Sequence, residues 1–497
     1  MALSLGAGFT LVVTEHGDLY AFGTNRNGQL GLGTTSNQLL PALVDKAHAF
    51  AGEAVASVCC GREHAACVTR GGDVFVWGCN KHGQLGLDMS AQPAAAFETA
   101  AAAAPTACAA LAASGAIPPP WSSCWRPRGS SAPTAPDSRN VVRPLAVPRA
   151  VLHRAPARMV ACGRHFTLLL TARGGVWGAG QNECGQLGLN DTEPRHLFAQ
   201  IDPACFAGGA VSLVAAGERH SLALSGTPGA LSAWGRRACA RLGPSTLLVP
   251  TAVPPESFGG SEPVFVDAGD DFSMVVTADG ALYAGGMNID CQLGLGNQEC
   301  SADLKRVGGT GAFKDQRVRS VRCGSVHSVI LTEDSELWSC GLATGPLCGT
   351  HDRPGERVKR PARIRHARFH GDGVAVFAAG VSHSAAVTSA GGLYTWGEGA
   401  NYTRADQDSF SALGLNNFHV QWLPRKVPPA ALGGARIGGW HDVREDFVLA
   451  FAMATHRRLG ERCVFQGLLC ELLVLVFARA RAPGTLDGLG RLLGRLP

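Results

Sequence analysis

The chain is poor in charge. Asp, Glu, Lys and Arg make up 17% of its 497 residues, and 44 basic against 39 acidic side chains leave a net charge of only +5. That balance argues against long charged helices and gives no concentrated basic face for nucleic acid. Long apolar runs are missing too. None reaches the roughly 18 residues needed to span a bilayer; the strongest, Leu472 to Ala478, is short and follows Glu471. The first residues, MALSLGAGFTLVV, lack the basic start and cleavage site of a secretory leader. No Cys-x-x-Cys pair is matched by a second pair at zinc spacing, although there are 17 cysteines. Many of these sit at apolar strand positions, among them Cys60, Cys162, Cys323 and Cys340. They read as reduced, mostly buried thiols of an intracellular protein, in the cytoplasm, the nucleus or both.

Glycine is what the chain has instead. There are 64 glycines and 28 prolines, and 46% of residues are hydrophobic. Many short strands joined by tight turns fit that mix. The glycines also recur. The clearest copy runs VASVCCGREHAACVTRGGDVFVWGCNKHGQLGLD, from Val55 to Asp88. An apolar strand leads into Gly-x-x-His and a second strand; a Gly turn then opens a third strand that ends in Trp-Gly and Asn-x-x-Gly-Gln-Leu-Gly-Leu.

The second-half glycine recurs at Gly23, Gly78, Gly180, Gly235, Gly286, Gly341 and Gly397, with gaps of 55, 102, 55, 51, 55 and 56 residues. The first-half glycine recurs at Gly6, Gly61, Gly163, Gly217, Gly269, Gly324 and Gly380. Three residues after it stands an aromatic ring every time: Phe9, His64, Phe166, His220, Phe272, His327 and His383. The Gly-Gln-Leu-Gly turn is intact at Gly28, Gly83 and Gly185 and decays in the fourth and sixth copies. One such sheet cannot bury both its faces, whereas radial stacking of copies can. The expected fold is therefore all-β: a seven-bladed β-propeller of four-stranded blades, with Trp77, Trp177, Trp234, Trp338, Trp396, Tyr20 and Tyr283 as fillers between sheets.

Two segments leave the pattern. The long gap holds an Ala/Pro/Ser-rich stretch, expected to be a disordered insertion over 89–142. The gap equals two repeats in length, but the stretch carries no motif residue, so it does not read as an eighth blade. Repeats one and two then occupy 1–88 and repeats three to seven occupy 143–454. Within the latter, Trp440 to Ala454 echoes a first half-repeat and could supply a closing strand. Beyond it, 455–497 has apolar residues at helical spacing and forms a helical C-terminal tail.

The glycine lattice resembles that of the regulator of chromosome condensation family, from Gly6 to about Val427 less the insertion. The resemblance implies a seven-bladed propeller and several functions. One is nucleotide exchange on a Ran-like small GTPase. The founding member carries a basic N-terminal tail; this chain starts inside its first strand, so that tail is expected to be absent or the sequence truncated. Ultraviolet-B reception implies Gly-Trp-Arg-His-Thr, and no Trp follows any first-half glycine. A catalytic ligase domain does not fit the roughly 70 residues after Val427. The stretch Leu468 to Phe477 resembles the start of an F-box: Leu469 replaces a proline, and the remaining fixed positions match or are conservative. An F-box is about four times longer, so a helix packed on the propeller is favoured over a ubiquitin-ligase adaptor.

No chemistry stands apart from the repeat. His64, His220, His327 and His383 occupy equivalent places in different blades, and Phe replaces them in three others, so each reads as a packed ring with one hydrogen bond. The Gly-Gln-Leu-Gly-Leu runs join strands and should not cradle phosphate. No catalytic, cofactor-binding or metal residue is expected, and no cofactor. What varies between copies is the pair of residues after the first-half glycine. Arg62, Glu63, Arg164, Glu218, Arg219, Asp270 and Asp271 should ring one face of the disc near its axis as a partner-binding rim. The expectation is a monomeric, non-catalytic protein-interaction scaffold without membrane or nucleic-acid contact. Its partner would be a protein, with a small GTPase or a ubiquitin-ligase component as the alternatives.

Overall fold

The computed structural model describes residues 2–91, 140–206, 209–226, 229–236, 246–308, 311, 313–342, 346–350, 357–398, 413–415 and 421–432. The chain divides into two units, Met1–Asp442 and Val443–Pro497. The second lies outside the described residues, as do most of the insertion, the expected closing strand at Trp440 to Ala454, and the tail with its F-box-like stretch.

Each repeat folds into one antiparallel sheet, and the described residues form seven sheets of four strands. In the first, Ala2–Leu5, Phe9–Val13, Leu19–Gly23 and Gln38–Leu43 lie side by side in chain order. The other blades span 55–146, 157–200, 211–252, 263–306, 318–364 and 374–426. Helix among the described residues is confined to single turns such as Lys46–Ala49, which Asp45 caps through its side chain.

Inner strands pack on inner strands around the axis. Ala2–Leu5 lies against Val55–Cys60, and the contacts run on blade by blade until Val374–Ala379 meets Ala2–Leu5 again. Blades one and seven each have four strands of their own, so this contact closes the ring. The second strand of every blade is buried along its whole length, because a neighbouring blade covers each face. The outer strands are half exposed.

The two glycine series answer two different steric demands. The glycine ending the third strand has a left-handed φ of 93 to 123° in all blades. A Cβ on Gly23 would stand 2.4 Å from the Gly8 carbonyl oxygen. The first-half glycine instead makes room for the aromatic ring that folds back over it. A Cβ on Gly163 would lie 2.0 Å from the Phe166 ring, and one on Gly61 would lie 2.1 Å from the His64 ring.

The fourth strand is where sequence and structure part. It follows the Gly-Gln-Leu-Gly turn, and in every blade its pairing with the third strand slips just before the terminal glycine. Five of the seven carry a proline: Pro41, Pro144, Pro250, Pro361 and Pro424. An edge strand tolerates the missing N–H there. In blade two the fourth strand is Val141–Ala146, so the insertion interrupts a blade and does not separate two. The expected boundary at 142 falls inside that strand.

Candidate functional site: the axial ring of turns

The histidines join blades. His64 Nε2 lies 3.0 Å from Thr167 Oγ1 in the next blade, and Thr167 Oγ1 donates to the Gln84 carbonyl oxygen at 2.7 Å. The hydroxyl has one hydrogen and spends it on that carbonyl, so Nε2 carries the proton that the hydroxyl accepts. His327 meets Ser384 in the same way at 2.7 Å, with Ser384 donating to Leu347 O. His220 meets Ser273 at 2.8 Å and His383 meets Thr10 at 2.9 Å, the last across the ring closure. Burial holds His64 and His383 at about 3, and His220 and His327 at about 4. All four are neutral structural rings, each with the single side-chain bond expected. The tryptophans repeat the theme: Trp77 Nε1 donates to Gln29 O of the preceding blade at 2.8 Å, and Trp234 Nε1 to Gln186 O at 2.8 Å.

Just beyond this belt lie the variable turns. Their backbones are linked from blade to blade. Ala7 N–H donates to Arg62 O at 3.2 Å, Arg62 N–H to Arg164 O at 3.3 Å, and Glu218 N–H to Asp270 O at 3.1 Å. The turns therefore form a ring at one mouth of the axis. Charge is confined to half of it. Blades two to five carry Arg62, Glu63, Arg164, His165, Glu218, Arg219, Asp270 and Asp271; blades six, seven and one carry Ser325, Val326, Val381, Ser382, Ala7 and Gly8.

All seven rim residues singled out from sequence are half-buried, so this is a recessed network and not an outer edge. Arg164 pairs with Glu218, whose carboxylate also lies 3.6 Å from Arg219. The Ser325 hydroxyl donates to the Asp270 carboxylate. Burial raises the Asp270 carboxyl above its ordinary range, and burial also lowers the Arg164 guanidinium. Arg62, Glu63 and Asp270 all act electrostatically on Arg164, and Asp271 acts on Asp270.

Three contributors were not foreseen: His82, Met287 and Ile289. His165 stacks on His82, with ring centroids 4.7 Å apart, and burial holds His165 at about 2. His82 stands in the Asn-x-x-Gly loop of blade two, which opens on the same face. The corresponding loop of blade five presents Met287 and Ile289, 37% and 54% exposed. An apolar Ile289 at the loop position that elsewhere holds Arg26, Lys81 or Glu183 was the available signal.

Small-molecule features are sparse among the described residues. A shallow pocket of about 90 Å³ lies between the outer strands of blades one and two, lined by Gly31, Leu43, Ala49 and Arg143. Drug-sized ligands occupy clefts of roughly 300 Å³ and more. No group of three His, Cys, Asp or Glu side chains among the described residues is placed to hold a metal ion. No described helix is long and apolar enough to cross a membrane.

Residues 1–309 match the model of the RCC1-like domain. The chain is 31% identical over 364 residues to the mouse secretion-regulating guanine nucleotide exchange factor, covering 71% of this chain and 66% of that protein. It is 26% identical over 366 residues to the ultraviolet-B receptor of Arabidopsis thaliana, covering 72% of this chain and 68% of the receptor. The chain thus spans about two thirds of the length of these relatives. Among solved structures, Prp20p from Saccharomyces cerevisiae superposes with a TM-score of 0.63 at 21% identity, over 85% of this chain and 89% of that one.

Proposed function

Because this chain belongs to the RCC1-like propeller family, we propose that it is a non-catalytic docking platform that grips a protein partner with the charged half of its axial ring. The observation that carries this reading is the asymmetry of the ring. A merely solvated rim has no reason to concentrate its ionic turns in blades two to five and to set exposed Met287 and Ile289 beside them. Apolar anchors next to an ordered polar network are what a protein interface requires. Fully buried strand and turn cysteines such as Cys67, Cys291 and Cys340 suit a reducing compartment, the cytoplasm or nucleus.

A second reading makes the partner a small GTPase whose nucleotide release is accelerated. It is supported by the 31% identity to a protein named as a guanine nucleotide exchange factor. One experiment separates the two. Nucleotide release is followed for a panel of small GTPases with and without the protein. Acceleration of one member establishes exchange, and no acceleration of any leaves the platform alone. For the platform itself, Asp271→Lys combined with Ile289→Asp should weaken capture of the partner at least about tenfold, since buried interface anchors typically contribute 1–2 kcal/mol or more. Val381→Lys in the neutral half should leave it unchanged. Equal effects of the two would overturn the assignment of the face.

A further inference from the structure

We propose that Cys59 and Cys162 form a reversible disulfide site on the wall of the central axis, oxidised by a hydroperoxide and reset by a small-molecule thiol. The two residues meet across the gap between blades two and three. Cys59 lies in the inner strand Val55–Cys60 and Cys162 ends the inner strand Ala157–Cys162. The Cys162 N–H donates to Cys59 Sγ at 3.2 Å, and Cys162 Sγ donates to the Cys59 carbonyl oxygen at 3.5 Å. Both sulfurs therefore occupy the same inter-strand space.

The contact is a repeat contact, which is why it is held so closely. At the equivalent junctions Ser4 Oγ accepts from Cys60 N–H at 2.9 Å, and the Asp267 carboxylate accepts from Cys323 N–H at 2.7 Å. In each case a side chain of one inner strand reaches the last residue of the next. Between blades two and three alone, both residues at this junction are cysteines. Cys59 is half-buried towards the axis and Cys162 is 7% exposed. Cys60 points to the opposite face of the same strand, because successive side chains alternate.

The roles of the two sulfurs differ. The hydrogen bond from Cys162 holds the Cys59 thiol below its usual range, while burial pushes Cys162 up. Cys59 is thus the attacking thiolate. Its sulfur takes the outer oxygen of the hydroperoxide, the O–O bond breaks, and the leaving alkoxide picks up a proton. The Cys162 sulfur then attacks the resulting sulfenic acid, and the hydroxyl leaves with the Cys162 proton as water. Two electrons pass from the thiols to the peroxide, and thiol–disulfide exchange returns them.

The test treats the full chain with hydrogen peroxide, blocks remaining thiols, and digests with trypsin. The two cysteines fall in separate peptides, 47–62 and 159–164. Wild type and Cys60→Ser should yield these peptides joined, with the mass of two hydrogens lost and the link cleaved by dithiothreitol. Cys59→Ser and Cys162→Ser should yield none, while keeping the thermal midpoint of the reduced wild type to show that the propeller is folded. Absence of the link in folded, oxidised wild type would overturn the proposal. So would a link that survives in Cys59→Ser through Cys60.

Discussion

At Gly61 an added methyl would stand 2.1 Å from the His64 ring and 2.7 Å from the Gly163 carbonyl oxygen. Neither neighbour can yield, because the ring is pinned to Thr167 and the carbonyl belongs to the next blade. Gly61→Ala should therefore cost roughly 2–4 kcal/mol, the range of a severe core overpacking. Gly52→Ala meets nothing within 4 Å and strains only a φ of +82°, so about 1 kcal/mol is expected. Denaturant titration of both variants checks this, and equal losses would refute the steric account. Positions like Gly61 were legible in the sequence because sterics leave no alternative residue. Cys59 and Cys162 were not. Their meeting joins positions 103 residues apart, on either side of an insertion, and nothing local in either strand marks it.

The element that matters most is the junction between second strands. Its histidines are neutral in the fold at about 3 to 4, against an ordinary 6.5. Unfolded chain takes up protons near 6.5 that the folded chain refuses. Their contribution is therefore fully present above 6.5 and is lost as the pH falls towards 3. The thermal midpoint should drop over that window. His64→Phe, which copies the natural residue of three blades and leaves Thr167 donating to Gln84 O, should flatten the drop. A midpoint equally steep with pH in the variant would exclude His64 as a contributor. Sequence reading found these strands from their unbroken apolar runs. It missed where the fourth strands lie, because a proline within a half-exposed edge strand, such as Pro144 in Val141–Ala146, reads as a break between elements.

For the whole molecule, closure rests on one seam. Leu3 and Leu5 pack in the same cluster as Ala378, Val387 and Leu393 of blade seven, and Thr10 completes His383. Removing residues 1–5 should lower and broaden the unfolding transition, read by circular dichroism. A transition as sharp and as high as that of the full chain would show that the seam is dispensable. The number of blades and the face near the axis were both legible from the glycine lattice. The recessed, half-charged character of the ring was not, because Arg164, Glu218 and Asp270 come from three repeats and meet only once the ring has closed.

Each blade presents a histidine or phenylalanine on one side, and every blade but the second presents a hydroxyl on the other; blade two has Ala65 there, opposite Phe9. Thr10 stands where Ser384 stands, so it would serve His327 as well as it serves His383. Six of the seven repeats are thus interchangeable at this joint. Blade two is the exception: placed after a histidine blade, Ala65 would leave that ring without its hydroxyl, so it suits only a phenylalanine neighbour such as blade one.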